Sequence, residues 1–352
     1  MNKAGTMTVA LAMLAAAGLG AQAQAQETRL RLDAGGWVLT ANGAVSAQTG
    51  AWDDLATGRS QTSGEWDASL LLNAERITDA GVTWGFRAEF DTGERAGEDL
   101  QRDEIYAYVA GSFGRFELGE QDGAADTIAL HAPIVGLGQI RGDFVRYTGT
   151  AALLTPFDTR DALKIVYLSP PVAGFRLGAS WAPEVESNSS DPNPRRRTRQ
   201  ENGVELAAAW QTPVGDDWAV SASLAWVGAQ ADPITQRRDI ESWSIGAQAA
   251  RGPLTIGAAW VSRGDSNSLV RGLDEDEWNV GVAWRANRWS AAASASVTSS
   301  TQAENRLFGV GGAFDLTENW VLRADVVSIR EEMVGRRARD SVVALAELSF
   351  RF

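Results

Sequence analysis

Trp218-Ala219-Val220-Ser221-Ala222-Ser223-Leu224-Ala225-Trp226 decides the fold. Trp218, Val220, Ala222, Leu224 and Trp226 are large or apolar, and the residues between them are small or polar. A period of two sends alternate side chains to opposite faces of an extended chain, so the stretch is a strand with two unlike faces. The rhythm recurs at Val82, Trp84, Phe86, Ala88 and Phe90, at Phe175, Leu177, Ala179 and Trp181, and at Val204, Leu206, Ala208 and Trp210. It returns at Leu254, Ile256, Ala258 and Trp260, and at Trp278, Val280, Val282 and Trp284. In water such strands make a sandwich with the polar face outward. In a bilayer the apolar face turns out and the polar face lines the interior.

The connections decide between these. The alternation predicts sixteen strands, at 30–48, 65–78, 82–91, 103–112, 115–119, 161–169, 174–183, 202–212, 217–228, 239–250, 253–263, 277–286, 288–298, 305–316, 319–330 and 340–352. Tight links such as Asp79-Ala80-Gly81, Ser112-Phe113-Gly114 and Arg251-Gly252 alternate with longer segments such as 93–102, 184–201, 264–276 and 331–339. An even number of strands with alternating short and long links predicts an all-β fold: a 16-stranded antiparallel transmembrane β-barrel with short periplasmic turns and long outer loops. Closure pairs every strand edge, as hydrocarbon demands. Trp181, Trp226, Trp260 and Trp278 fall beside long links, and Trp210, Trp218, Trp284, Trp289 and Trp320 beside short ones. Two belts of indoles are what the two bilayer interfaces select.

Composition agrees. The 352 residues hold no Cys, one His (His131), 14 Trp and 36 Gly, with a formal net charge of −13. Disulfides and thiolate sites are excluded, a histidine relay has no members, and the acidity disfavours nucleic acid as a partner. Lys3, the short apolar run 7–19 and Ala23-Gln24-Ala25 form a cleavable export signal over residues 1–25. Its removal takes away Lys3 and no acid, so the expected mature chain, a single barrel domain over 26–352, carries −14.

Three stretches carry a family resemblance. Tyr167-Leu168-Ser169-Pro170-Pro171-Val172-Ala173-Gly174-Phe175 is similar to a hairpin of the trimeric general porins of Gram-negative outer membranes. Gly111-Ser112-Phe113-Gly114-Arg115-Phe116-Glu117-Leu118-Gly119 resembles the segment leading to their pore-constricting third loop. The ending Leu348-Ser349-Phe350-Arg351-Phe352 resembles their closing strand, whose terminal aromatic, here Phe352, is the membrane-insertion signal. Glu120 stands where many relatives carry Arg, and the Pro-Glu-Phe loop tip of enteric porins is missing. The resemblance implies a homotrimer in the cell outer membrane and a loop folded into the lumen.

The longest link, 120–160, is rich in packable residues such as Ile128, Leu137, Ile140, Phe144 and Leu154, and carries Asp122, Asp126, Asp143, Asp158, Arg141 and Arg146. It is expected either to narrow the pore, as the resemblance implies, or to cap the barrel rim. Strand parity puts Arg87, Lys164, Arg176, Arg285 and Arg323 on the polar wall, where they either oppose the loop acids or pair with wall acids such as Glu89, Glu205 and Asp325. Arg195-Arg196-Arg197-Thr198-Arg199 is either a solvated loop tip or a contact for lipopolysaccharide phosphates. No cofactor is expected; Asp274-Glu275-Asp276-Glu277 could hold loop calcium but lacks the ligand spacing of a dedicated site. His131 has no catalytic partners at a telling spacing and reads as structural. The expected function is passive diffusion of small hydrophilic solutes and ions, with cations preferred. The alternatives are a substrate-selective outer-membrane channel, or a barrel enzyme for which no nucleophile and base are nominated.

Overall fold

The computed structural model describes residues 30–92, 100–185, 200–215 and 217–352. The expected export signal and the Arg195–Arg199 cluster lie outside the described residues. Strand β1 (Leu30–Ala34) is followed by β2 (Trp37–Asp54), β3 (Arg59–Ile77), β4 (Thr83–Asp91), β5 (Gln101–Gly111) and β6 (Gly114–Glu120). After a long connection come β7 (Leu163–Leu168), β8 (Phe175–Glu184), β9 (Gln200–Val214), β10 (Trp218–Ala231) and β11 (Ile240–Arg251). The last six are β12 (Leu254–Gly264), β13 (Glu275–Ala286), β14 (Trp289–Ser300), β15 (Ala303–Asp315), β16 (Trp320–Met333) and β17 (Arg339–Arg351).

Each strand from β2 to β17 pairs antiparallel with the next, and β17 pairs with β2, which closes a ring of sixteen. The seventeenth strand arises where the sequence predicts one strand over 30–48. Gly35 and Gly36, both at positive φ (61° and 82°), reverse the chain there into a β1–β2 hairpin; that backbone region is open to glycine at little steric cost. β1 pairs with β2 from Ala34↔Trp37 to Leu30↔Ala41, and β17 takes the same edge from Arg351↔Ala44 upward. Phe352 exchanges two backbone hydrogen bonds with Gly43, at 2.9 and 3.0 Å, between them. The first and last described strands thus lie end to end along one edge of β2.

A second difference is at the outer end of β2 and β3. The sequence predicts a link over 49–64, whereas the strands continue and leave only residues 55–58 between them. Asp54 turns the chain by accepting hydrogen bonds from the Ala56 and Thr57 N–H groups at 2.9 and 3.1 Å. The extension Arg59-Ser60-Gln61-Thr62-Ser63-Gly64 is polar on both faces, so no hydrophobic alternation marks it.

The expected faces hold elsewhere. Leu224, Leu206 and Phe86 point outward and are about half exposed, while Ser221, Ser223 and Ala225 between the β10 residues are buried on the inside. Near the long connections Trp226 stacks beside Trp243 at 6.1 Å and Trp260 beside Trp278 at 6.5 Å. Near the short turns Trp289 meets Phe314 at 4.2 Å and Trp320 meets Phe350 at 5.1 Å.

Candidate functional site

The inner wall is not polar throughout. Leu307, Val327, Ile329, Val343 and Leu345 face inward from β15 to β17, each no more than 4% exposed. In an empty water-filled barrel that patch would be wet. Residues 121–162 cover it instead: Ala132, Leu137, Ile140, Phe144 and Leu154 pack on it in one cluster. A second cluster seats Ala124, Ala125 and Ile128 of helix α1 (Ala124–Ile128) on Val166, Leu168, Ala207, Ala225 and Val227. Each large side chain fully buried this way contributes about 1.5–3 kcal/mol. The long connection therefore lies inside the barrel and does not cap its rim.

Polar wall groups hold the loop backbone in place of regular structure. Glu205, fully buried on β9, accepts from Ala125 N–H (2.8 Å), Thr159 N–H (2.9 Å) and the Thr159 hydroxyl (2.6 Å). Asp325 on β16 accepts from Leu137 N–H at 3.2 Å and from the Gln139 N–H and side-chain amide, both at 2.9 Å. Leu130 donates to Ser223, Ala132 to Asn279, Leu153 to Glu277 and Phe157 to Ser242, at 2.6–2.8 Å. In the other direction Gln248 donates to His131 O (2.8 Å), Ser294 to Pro133 O (2.9 Å) and Arg285 to Ile134 O (2.9 Å).

The tip, with helix α2 (Val145–Thr148), reaches β2 and β3. Arg146 pairs with Glu65 at 2.6 Å and Asp67 at 3.3 Å, Tyr147 shares a 2.6 Å hydrogen bond with Ser63, and Gln48 donates to Asp143 at 2.6 Å. The loop thus leaves the wall at β6 and is pinned as far round as β3. Apart from that tip contact on β3 and the neck beside Glu104, the inner faces of β3 to β6 are left uncovered.

The sequence-selected residues divide accordingly. Asp122 and Asp126 stand at the loop's neck. Carboxylate oxygens of Glu104, Asp122 and Asp161 lie within 4.8 Å of one another, the one such trio among the described residues. Enclosure by the barrel, then the charges of Asp126, Glu104 and Asp161, push the Asp122 carboxyl up to about 8, although it faces lumen water. Burial, then Asp158, also raises Asp126. Asp158 accepts from Arg160 N–H at 2.8 Å, and Arg141 donates to Ala152 O at 3.1 Å, a bond within the loop.

Of the wall bases, Arg87 pairs with Glu89 at 2.9 Å and Glu104 at 3.8 Å. Lys164 is buried under the loop and donates to Arg160 O. Arg285 holds the loop, Arg323 pairs with Glu347, and Arg176 is half-buried on β8. Acids and bases are not segregated to opposite sides. Period two brings positions i and i+2 to one face, so Arg87 meets Glu89 and Arg115 meets Glu117. Arg115 also lies 3.7 Å over the Tyr108 ring. Glu205 and Asp325, weighed in the sequence as partners for bases, accept from loop backbone instead.

Tyr106, Tyr108, Arg115, Glu117, Glu65, Asp67, Glu104 and Asp161 were not singled out by sequence. Inward parity was the available signal for all but Asp161, which precedes β7, and it does not tell an open wall from a covered one. Within the acidic run, Glu277 is buried beneath the loop and accepts from Leu153 N–H and Thr298 at 2.6 Å, so it holds the loop. His131 is half-buried, and its enclosure inside the barrel lowers its pKa; its Nδ1 contacts Ala132 O at 2.7 Å.

The model of the Gram-negative porin family matches residues 9–332. No curated protein sequence matches the chain. Among solved structures, an anion-selective porin from Comamonas acidovorans is similar at TM-score 0.65 and 12% identity, over 90% of this chain and 100% of that one. A Salmonella typhi OmpF complex with daunomycin is similar at TM-score 0.65 and 13% identity, over 92% of this chain and 100% of that one. A triple mutant of the Rhodopseudomonas blastica porin gives TM-score 0.61 at 17% identity, over 89% and 100%. These identities speak for the fold alone. With a closed sixteen-strand ring, an apolar outer face and a family match across most of its length, the chain belongs to the Gram-negative porins and forms an outer-membrane channel.

Proposed function

We propose that this porin passes small hydrophilic solutes and ions by passive diffusion, prefers cations, and is narrowed by its 120–160 loop. The observation that carries the reading is the charge on the uncovered wall. Glu65, Asp67, Glu75, Glu89, Asp91, Glu104 and Glu117 lie on the inward parity of β3 to β6, against Arg59, Arg87, Arg102 and Arg115. Arg87 and Arg115 are paired with acids of that wall, Arg102 pairs with Glu120, and Arg146 from the loop pairs with Glu65 and Asp67. The excess negative charge of that wall raises the local cation concentration, and the carboxyls at the loop neck add to it as they ionise. The test is the reversal potential of the reconstituted channel in a KCl gradient. Its sign should report cation preference, and anion preference overturns the selectivity. Liposome swelling with sugars of graded size should show a size cutoff without stereochemical preference; a stereochemical preference would favour a substrate-selective channel.

The functional unit in this reading is a homotrimer, with residues 1–25 removed on export and lipopolysaccharide around its outer rim. In support of the trimer, the outer face of β1 to β6 carries an apolar concavity of about 760 Å³ beside Leu30, Leu32, Leu39, Leu72, Phe86 and Leu118. A second of about 330 Å³ lies among small residues including Ala51, Ala344 and Ala346. Both reach β2, and a neighbouring barrel would fill them. Chemical crosslinking in detergent should trap three chains; a single-barrel species alone would count against it.

A further inference from the structure

Charge on the open wall is layered along the pore axis. Glu65, Asp67, Glu89, Asp91 and Glu104 stand toward the long connections. The bases at that level are outnumbered. Arg87 is shared by Glu89 and Glu104, Arg146 by Glu65 and Asp67, Arg102 is paired with Glu120, and Arg59 lies opposite Asp54. Toward the short turns the balance changes. There Glu75 and Glu117 meet Arg115 and Arg176, with Arg285 on the short-turn side of the loop. Arg115 pairs with Glu117, whereas Arg176, half-buried on β8, forms no ion pair among the described residues. Arg323 pairs with Glu347 and Arg31 with Asp33, and Asp315 and Arg351 at the ends of β15 and β17 cancel, so these six add nothing to either level.

Distance keeps the two levels apart. Asp67 and Glu75 are eight residues apart on β3, about 26 Å of strand and about 20 Å along the axis at a tilt of about 40°. The Debye length is about 10 Å at 0.1 M salt, so each level sets its own ion population. The outer level gathers cations and turns anions back, and the level by the short turns favours neither. With the outer side positive, cations run from the acidic level toward the balanced one. Anions run the opposite way and are held back where the acids begin. Salt therefore accumulates at the join and the current rises. With the outer side negative, both ions are drawn away from the join, salt is depleted there and the current falls.

We infer that the channel rectifies, carrying more current between equal salt solutions when its outer side is positive than when it is negative, with Arg176 keeping the short-turn level from being acidic. The inference rests on the cation preference proposed above and gives it a direction. Single channels are recorded in planar bilayers at equal voltages of both signs. The chain has no Cys, so Val334→Cys, on an exposed outer link, places a lone thiol that marks orientation. A polyethylene glycol maleimide too large to cross then disturbs the current only from the chamber the outer end faces. The current ratio should be about 1.5 in 0.1 M KCl and approach about 1 at 1 M, where the Debye length is about 3 Å. Glu89→Gln with Asp91→Asn removes outer charge and should bring the ratio toward unity. Arg176→Glu makes the short-turn level acidic, so it should lower the ratio while raising cation preference in the reversal potential. That opposition separates layering from total charge. An ohmic wild type that still prefers cations would overturn rectification and leave the selectivity standing, as would a larger current with the outer side negative. An unchanged ratio in Arg176→Glu would overturn the role of Arg176. Anion preference in the reversal potential would overturn the acidic reading, and rectification with it.

Discussion

Asp122 shows how one side chain's surroundings set a channel's response to pH. Its carboxyl, raised to about 8 by enclosure and by Asp126, Glu104 and Asp161, is mostly neutral below that value and charged above it. Raising the pH from about 6 to about 9 therefore adds negative charge at the loop neck, and cation preference should grow. The group binds an extra proton in the folded barrel between the ordinary carboxylate range and about 8, so its contribution to stability falls as pH rises through that window. Reversal potentials across a pH series, repeated with Asp122→Asn, check this; an unchanged slope in the variant would assign the effect elsewhere. Gly50 makes a different residue-scale point. A Cβ there would stand 2.0 Å from the Tyr147 hydroxyl. Gly50→Ala should push the tip from β2, break the 2.6 Å bond to Ser63 and raise open-channel current noise in planar bilayers. A trace as quiet as wild type would show that Arg146 and the Gln48–Asp143 bond hold the tip without it.

At the scale of the element, the strands were legible and the loop was not. Alternation marks a strand wherever one face meets lipid, which is why β10, β12 and β13 could be read from their Trp, Val and Leu positions. It fades where β2 and β3 run past the bilayer, and it missed the β1–β2 turn because Gly35-Gly36 sits inside a run with weak periodicity. The loop's length and its packable residues were visible, but its path depends on partners far apart in sequence. Asp325, for example, binds Leu137 and Gln139 from 188 and 186 residues away. Such anchors can be tested as a set. Glu205→Gln replaces a carboxylate holding three loop donors with an amide that has one acceptor oxygen. At about 1.5–3 kcal/mol for a hydrogen bond to a charged group, it should loosen residues 124–159 and make them more sensitive to added protease than in wild type. The barrel strands should remain resistant; unchanged loop cleavage would show that apolar packing alone secures it.

For the whole molecule, closure depends on the last strand meeting β2. The Phe352 ring occupies the space a Cβ at Gly43 would need, at 2.3 Å from Cζ, and its backbone bonds Gly43 in both directions. Deleting Phe352 removes those bonds at the seam as well as the terminal aromatic. The heat-modifiable folded band of outer-membrane fractions should fall several-fold, and full assembly without Phe352 would overturn its role. The sequence by itself determined the barrel, its strand parity and its two aromatic belts, because lipid imposes a local rule that every strand must obey. Only the tertiary structure decided which inward groups face open water and which are covered. Arg87 and Lys164 share the same inward parity, yet Arg87 pairs with acids on the uncovered wall and Lys164 lies buried beneath the loop. Inward parity is a property of one strand, whereas cover comes from a segment that packs across the ring, and that contact is written in no single stretch of the chain.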